Sequence, residues 1–185
     1  NLGVLTALLG KGDAVLLDSD AHASLYDGCR MSEADIYRFK HNDVKSLERR
    51  IARLGDRARR CLIIVEGVYS VLGDRAPMQE IAEIKERYRA RLLVDEAHSL
   101  GVFGERGCGV AEEQGVLDKV DFTVGTFSKS LGAMGGFCAS QHDVLGLFRY
   151  VSRPFMFTAS PSPAVMATTR EALRKLRTRP ELRET

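Results

Sequence analysis

Six short stretches along the chain are apolar without alternation: "AVLLD" (14–18), "DIYRF" (35–39), "CLIIVEG" (61–67), "RLLVDEA" (91–97), "DFTVGT" (121–126) and "GGFCAS" (135–140). Runs of this length, aliphatic or β-branched and not alternating with polar residues, are expected of strands buried on both faces. Between several of them the period changes to that of a helix. "NDVKSLERRIARL" (42–54) repeats apolar positions at Val44, Leu47, Ile51 and Leu54 and opens with Asn42 as the expected cap. "APMQEIAEIKERYRA" (76–90) places Pro77 in a first turn ahead of Ile81, Ile84 and Tyr88, and a further helix is expected over about 162–178. Strand and helix in alternation predict an α/β fold, a mostly parallel sheet sandwiched by helices.

Ligands of such sheets bind beyond the carboxyl ends of the strands, so the residues just after each apolar run are the informative ones. After 14–18 comes "SDAHAS" with His22; after 61–67, "VYSVLGD" with Ser70. After 91–94 comes "DEAHS" with Asp95 and His98, and "DFTVG" leads into "TFSKS" with Thr126, Ser128 and Lys129. Two of the four histidines, a carboxylate and a lysine followed by glycines therefore share one rim. Composition narrows the field without naming a chemistry. The chain has 185 residues, 44% hydrophobic and 28% charged, with a net charge of +2. That suits one globular domain and gives no reason to expect nucleic acid or a membrane surface as partner. No apolar run is long enough to span a bilayer, so a cytoplasmic protein with no integral membrane segment is expected. The four cysteines, Cys29, Cys61, Cys108 and Cys138, lie far apart with no metal-ligand spacing, so reduced thiols and no metal are expected.

Three chemistries compete for the rim. "LLVDEAH" is similar to the magnesium-binding strand of a nucleotide-driven motor, but that machinery needs a G-x-x-x-x-G-K-[ST] loop upstream and none is present. A dinucleotide fingerprint fails as well, because "GERGCG" (104–109) has the wrong glycine spacing and follows no strand. The third chemistry uses every rim segment. A free lysine amine, with a pKa of about 10.4, is a poor nucleophile. In a confined site beside a cationic ring, Lys129 could instead form a Schiff base with an aldehyde cofactor, of which pyridoxal phosphate is the usual one. That cofactor needs a carboxylate against its ring nitrogen, a task that suits Asp95. His98 could reach the ring's phenolic oxygen, His22 could lie on the ring face, and Thr126 and Ser128 could meet the phosphate. Taken singly, each residue has a plainer use: a surface lysine, a capping histidine, a turn hydroxyl at Ser70. Those uses predict no common placement.

The ordered segments "DSDAHASLYDG", "FKHND", "EGVYSVLGD", "VDEAHSLGVFGERGCG", "GTFSKSLGAMGGF" and "SRPFMFTAS" resemble the motifs of the α-oxoamine synthases over nearly the whole chain. The resemblance implies an aspartate aminotransferase-like large domain and a reaction in which an amino acid and an acyl-CoA condense with loss of carbon dioxide to an aminoketone. It implies pyridoxal 5'-phosphate on Lys129, with Asp95 at the ring nitrogen, His98 and Ser70 near the phenolic oxygen, His22 stacked, and Thr126 and Ser128 on the phosphate. It also implies a homodimer with shared sites, in which Thr158 reaches the phosphate of the neighbouring subunit. Residues 1–178 are then expected to be the large domain and 179–185 the start of a link to a C-terminal domain. Because the chain opens at Asn1 and ends in "RPELRET", it is expected to be a fragment. It would lack the family's phosphate-binding glycine-aromatic pair and the arginine that holds the substrate carboxylate. A fragment of that kind is expected to bind cofactor poorly and turn over little.

Overall fold

A computed structural model of the chain describes residues 1–183. Its centre is a six-stranded sheet of β1 (Ala14–Asp18), β2 (Asp35–Phe39), β3 (Cys61–Glu66), β4 (Arg91–Asp95), β5 (Phe122–Thr126) and β6 (Gly136–Ala139), in the order β2-β1-β3-β4-β5-β6. The first five strands run parallel, and β6 pairs antiparallel to β5 at the edge. All six apolar runs are strands, shortened by one or two residues at most at either end.

The non-alternating pattern has a direct cause in the packing. Successive side chains of one strand enter opposite cores. Leu16, Ile63, Val65, Leu92 and Val94 pack on one face against α3 (Val44–Ala52), α4 (Met78–Tyr88) and the single turn α5 (Val110–Glu113). Val15, Leu17, Leu62, Ile64, Leu93 and Phe122 pack on the other face with Leu5 of α1 (Leu2–Leu8), Leu25 and Cys29 of α2 (Ala23–Met31), and Phe148 of α6 (Phe148–Val151). The close approach of α1 and α2 needs Gly28, where a Cβ would stand 2.6 Å from the Leu5 side chain. After α7 (Arg153–Met156) the chain ends in α8 (Pro163–Thr178) and a 3-10 turn over 180–183. Residues 184–185, the end of the expected link, lie outside the described residues.

Two cap assignments are corrected. Asn42 does not cap α3: it adopts a left-handed conformation with φ 50°, and the next residue, Asp43, accepts the N–H of Ser46. Pro77 precedes the first turn of α4 as its cap position and does not lie within the helix. All four cysteines are free thiols, and burial pushes those of Cys29 and Cys61 up to about 12.

Candidate active site at the carboxyl rim of the sheet

The parallel register sets the carboxyl ends of β1, β3, β4 and β5 side by side, with Glu66 of β3 directly opposite Asp95 of β4. Asp95 ends its strand almost fully buried, and its two oxygens are held separately. Oδ1 accepts the N–H of Ala97 at 3.0 Å, and Oδ2 accepts the amide of Asn1 at 2.8 Å. Asn1 Nδ2 also donates to Ser24 Oγ at 2.8 Å, and Ser24 Oγ lies 2.8 Å from His22 Nδ1. His22 caps α2, its Nδ1 accepting the N–H of Ser24 at 3.2 Å. A continuous hydrogen-bonded chain thus runs Asp95–Asn1–Ser24–His22. With Nδ1 turned inward as an acceptor, the neutral His22 ring carries its proton on Nε2, on the side away from the cap.

His98 stands half-buried three residues beyond Asp95, the last residue of β4. Burial is the chief cause that lowers its pKa, and the positive charge of Lys129 lowers it further against the opposing pull of Asp95. His98 is therefore neutral at physiological pH, and Lys129 and Asp95 are near enough for their charges to act on it. Lys129 itself is exposed in a compact turn after β5. Gly132 N–H donates to Lys129 O at 3.1 Å, Ala133 N–H to Phe127 O at 2.8 Å and Phe127 N–H to Gly135 O at 2.9 Å. Gly132 and Gly135 take positive φ values of 58° and 104°, which side chains other than glycine's resist. Thr126 Oγ1 and Ser128 Oγ lie 2.8 Å apart, and Ser128 N–H points at the same Thr126 oxygen at 3.3 Å. They form a hydroxyl pair at the start of the turn that holds the lysine.

The site rests on a residue that rim reading passed over. Glu66 is buried, and one of its oxygens accepts the N–H of His22 while the other accepts the N–H of Ser70 at 3.3 Å. Burial pushes its carboxyl up to about 7; the charge of Asp95 adds to the rise, while those two N–H groups and Lys129 oppose it. Glu66 could have been found in sequence, since it ends an apolar run as Asp95 does. Ser24 and Asn1 carried no comparable signal. Ser70 sits half-buried in the turn after β3, placed by Glu66. Thr158, exposed between α7 and α8, makes no hydrogen bond among the described residues, and nothing ties it to the cluster.

The second acid of "DEAH" does a different job. Glu96 is fully buried and accepts the N–H groups of Val110 at 3.1 Å and Ala111 at 3.0 Å together with the hydroxyl of Ser99. A Cβ on Gly67 or Gly109 would collide with its carboxylate at 2.0 and 2.3 Å. Enclosed in this way, Glu96 cannot activate water, which removes the motor reading on structural grounds. What remains open at the rim is a primary amine, a fixed carboxylate, two neutral imidazoles and two hydroxyls. That donor set fits a pyridine-type aldehyde carrying a phosphate: Asp95 for a cationic ring nitrogen, Lys129 for the aldehyde carbon, and Thr126 with Ser128 for phosphate oxygens.

Comparison with known proteins gives the same direction. The family model of class I and II aminotransferases matches residues 1–185. The serine palmitoyltransferase of Caulobacter vibrioides (strain NA1000 / CB15N) is 56% identical over 184 residues, which cover 100% of this chain and 46% of that protein. The 8-amino-7-oxononanoate synthase of Thermoanaerobacter pseudethanolicus is 39% identical over 173 residues, covering 94% of this chain and 44% of that protein. A solved serine palmitoyltransferase from S. paucimobilis, with a bound PLP–myriocin aldimine, superposes with a TM-score of 0.95 at 48% identity, over 99% of this chain and 46% of that one. The chain spans about half the length of the relatives it matches.

Proposed function

The chain belongs to the class I and II aminotransferase family, and from that premise we propose that it is the pyridoxal-phosphate-binding domain of an α-oxoamine synthase. The reaction is the decarboxylative condensation of an amino acid with an acyl-CoA, and the product is an aminoketone. Serine and a long-chain acyl-CoA are the favoured substrates. The stretches "DEAHS", "GTFSKS" and "RPFMFTAS" look most like those of bacterial serine palmitoyltransferases, and relatives of that name match the full chain. An 8-amino-7-oxononanoate synthase is the second reading, supported by relatives of that name at lower identity. Residues 1–178 form the large domain and 179–185 begin the link to a further domain. The assembly is a cytoplasmic homodimer with shared sites. An apolar surface supports the dimer: Tyr150, Val151, Phe155, Phe157 and Met166 are all exposed on the stretch that also carries Thr158. No helix among the described residues is long and apolar enough to cross a membrane.

Bound pyridoxal phosphate would supply a protonated ring that draws electrons from the substrate's α-carbon. The chain's own groups account for the rest. Asp95, fixed on both oxygens, would pair with the ring nitrogen and keep it positive. Lys129 would provide the amine that holds the aldehyde and a base for the substrate's α-proton, and the glycines after it leave the side chain room to move. His98, neutral through burial, would offer one nitrogen to the phenolic oxygen, and Ser70, placed by Glu66, would add a hydroxyl there. His22 presents a ring face and an Nε2–H to the substrate side. The observation that carries this reading is the convergence of Lys129, Asp95, His98 and His22 from three strand ends: Lys129 and Asp95 lie near enough for their charges to act on the His98 ring, and His22 is tied to Asp95 through Ser24 and Asn1.

Incubating the whole protein with pyridoxal phosphate and then borohydride should leave a stable adduct on the peptide containing Lys129, read by mass spectrometry, and Lys129→Ala should abolish it. In the whole protein, serine with palmitoyl-CoA should release free CoA thiol. Labelling spread over surface lysines, with none favoured, would overturn the assignment.

A further inference from the structure

A second polar cluster lies behind the rim and has no part in the chemistry above. His41 follows β2, and each of its ring nitrogens meets a different carboxylate: Nδ1 lies 2.9 Å from Asp18 Oδ1 and Nε2 lies 2.9 Å from Asp74 Oδ2. Asp18, at the end of β1, is fully buried; Asp74 belongs to the turn after β3 and is nearly half exposed. Asn42 strengthens the same bridge, donating its N–H to Asp18 Oδ2 at 3.0 Å and its side-chain amide to Asp74 Oδ2 at 2.9 Å and Arg75 O at 3.1 Å. The ring of Tyr69 meets His41 edge-on at 4.4 Å. Burial, first, and the nearby charges of Asp18 and Glu66 push the Tyr69 phenol well above its ordinary range, so it stays neutral.

The chemistry of the partners fixes the state of the ring. An ionised carboxylate only accepts hydrogen bonds, so both contacts are made only if both ring nitrogens carry hydrogen. His41 is therefore an imidazolium; burial opposes that charge, but the two acids outweigh it and raise its pKa overall. The turn that Asp74 belongs to is otherwise closed mainly on itself, by Tyr69 N–H to Asp74 O at 2.9 Å, Gly73 N–H to Tyr69 O at 2.8 Å and Ala76 N–H to Gly67 O at 3.1 Å. Its outer residues are solvated, Val71 at 88% exposure, and Ser70 lies between that tip and Glu66. Losing one proton leaves His41 with a single donor. The buried Asp18 cannot be solvated and keeps that donor, so the exposed Asp74 is the partner the ring lets go, left with the Asn42 amide alone.

We propose that His41 is a positioning residue: as an imidazolium it clamps Asp74 to Asp18 and so holds the 69–74 turn and Ser70 at the rim, and its deprotonation loosens the turn. Only the use made of Ser70 rests on the functional reading above; the clamp is a property of the chain by itself. Its sign follows from the raised pKa. The clamp is complete below the ordinary histidine value of about 6.5 and is lost as pH rises through the higher folded value.

Hydrogen–deuterium exchange on the whole protein without cofactor tests this with two readouts: exchange at the His41 ring carbon gives its pKa, and amide exchange of the peptide spanning 68–76, corrected for intrinsic rate, gives the order of the turn. We expect His41 to titrate above the ordinary value and amide protection to fall about tenfold across that same titration. Asp74→Asn, at an exposed position that tolerates change, should lower the His41 midpoint by about one pH unit and move the loss of protection with it. His41→Gln should give low protection without the step at the His41 midpoint. A His41 that titrates at or below the ordinary value, or protection unchanged across its titration, overturns the clamp. A protein that takes up no pyridoxal phosphate on Lys129 would leave these results standing, and a failed clamp would leave the Lys129 adduct standing.

Discussion

Asp95 and Glu96 are neighbours in sequence and face two different regions of the molecule. Asp95 turns to the rim, where its oxygens are held at two points by Ala97 and Asn1 and share the space with Lys129 and His98. Glu96 turns inward to a closed pocket, where two backbone N–H groups, a hydroxyl and two glycines surround it. One residue of offset at a strand end sends successive side chains to opposite faces, so a single tetrapeptide supplies a reagent and a strut. Hydrogen-bond accounting separates them where residue type does not: a carboxylate enclosed by its own chain builds structure, and one that shares an open rim with an amine and an imidazole does chemistry.

The strongest way to break this contrast is to remove the strut. Glu96→Ala leaves the N–H groups of Val110 and Ala111 and the Ser99 hydroxyl without their acceptor inside the fold. At about 1–3 kcal/mol for each stranded group, even partial relaxation leaves a loss of at least about 3 kcal/mol in urea unfolding. A loss below about 1 kcal/mol would show that Glu96 is not holding the 97–111 segment. Asp95→Asn should give the reverse profile. It keeps an oxygen for Ala97 N–H, so stability should change by less than about 1 kcal/mol, while the charge proposed to pair with a ring nitrogen disappears and turnover of the whole enzyme should fall about 100-fold. Equal effects of the two substitutions on stability would erase the distinction.

Much of the fold could be read from the chain because burial on both faces leaves a signature that alternation would not. Ala14–Asp18 and Cys61–Glu66 are buried at every position, and their sequences show it. α1 and α2 escaped notice for physical reasons: α1 is short with no side-chain cap, and α2 opens on a histidine cap and carries Gly28, a poor helix former kept for its contact with Leu5. The reversal of β6 left no mark, since an edge strand of four residues reads alike in either direction. In the site, Lys129, Asp95, His98, His22 and Ser70 were legible because strand ends in a parallel sheet converge by rule. Asn1 and Ser24 were not, because their contribution is contact across 94 and 23 residues of chain, which no local pattern encodes. Asn42 misled because it stands one residue before the true cap and has a cap's chemistry.

Glu66 sharpens the contrast, because it stands at the rim and works as a strut, its two oxygens holding the backbone of His22 and Ser70. Burial raises its carboxyl from the ordinary 4.5 to about 7 in the folded chain. Over that window the folded protein retains a proton that the unfolded chain has released. The stability Glu66 contributes is therefore fully present below pH 4.5 and is lost as pH rises to 7. Glu66→Gln keeps an acceptor and removes the titration. The difference in unfolding free energy between the parent and this variant should decline by about 2 kcal/mol from the acid end of the window to the neutral end, the smallest of the three effects. Taking the difference cancels every other titrating group, His41 included. A difference that stays flat with pH would mean that Glu66 is ionised throughout, placing it with the open carboxylates and leaving His22 and Ser70 held by a charge.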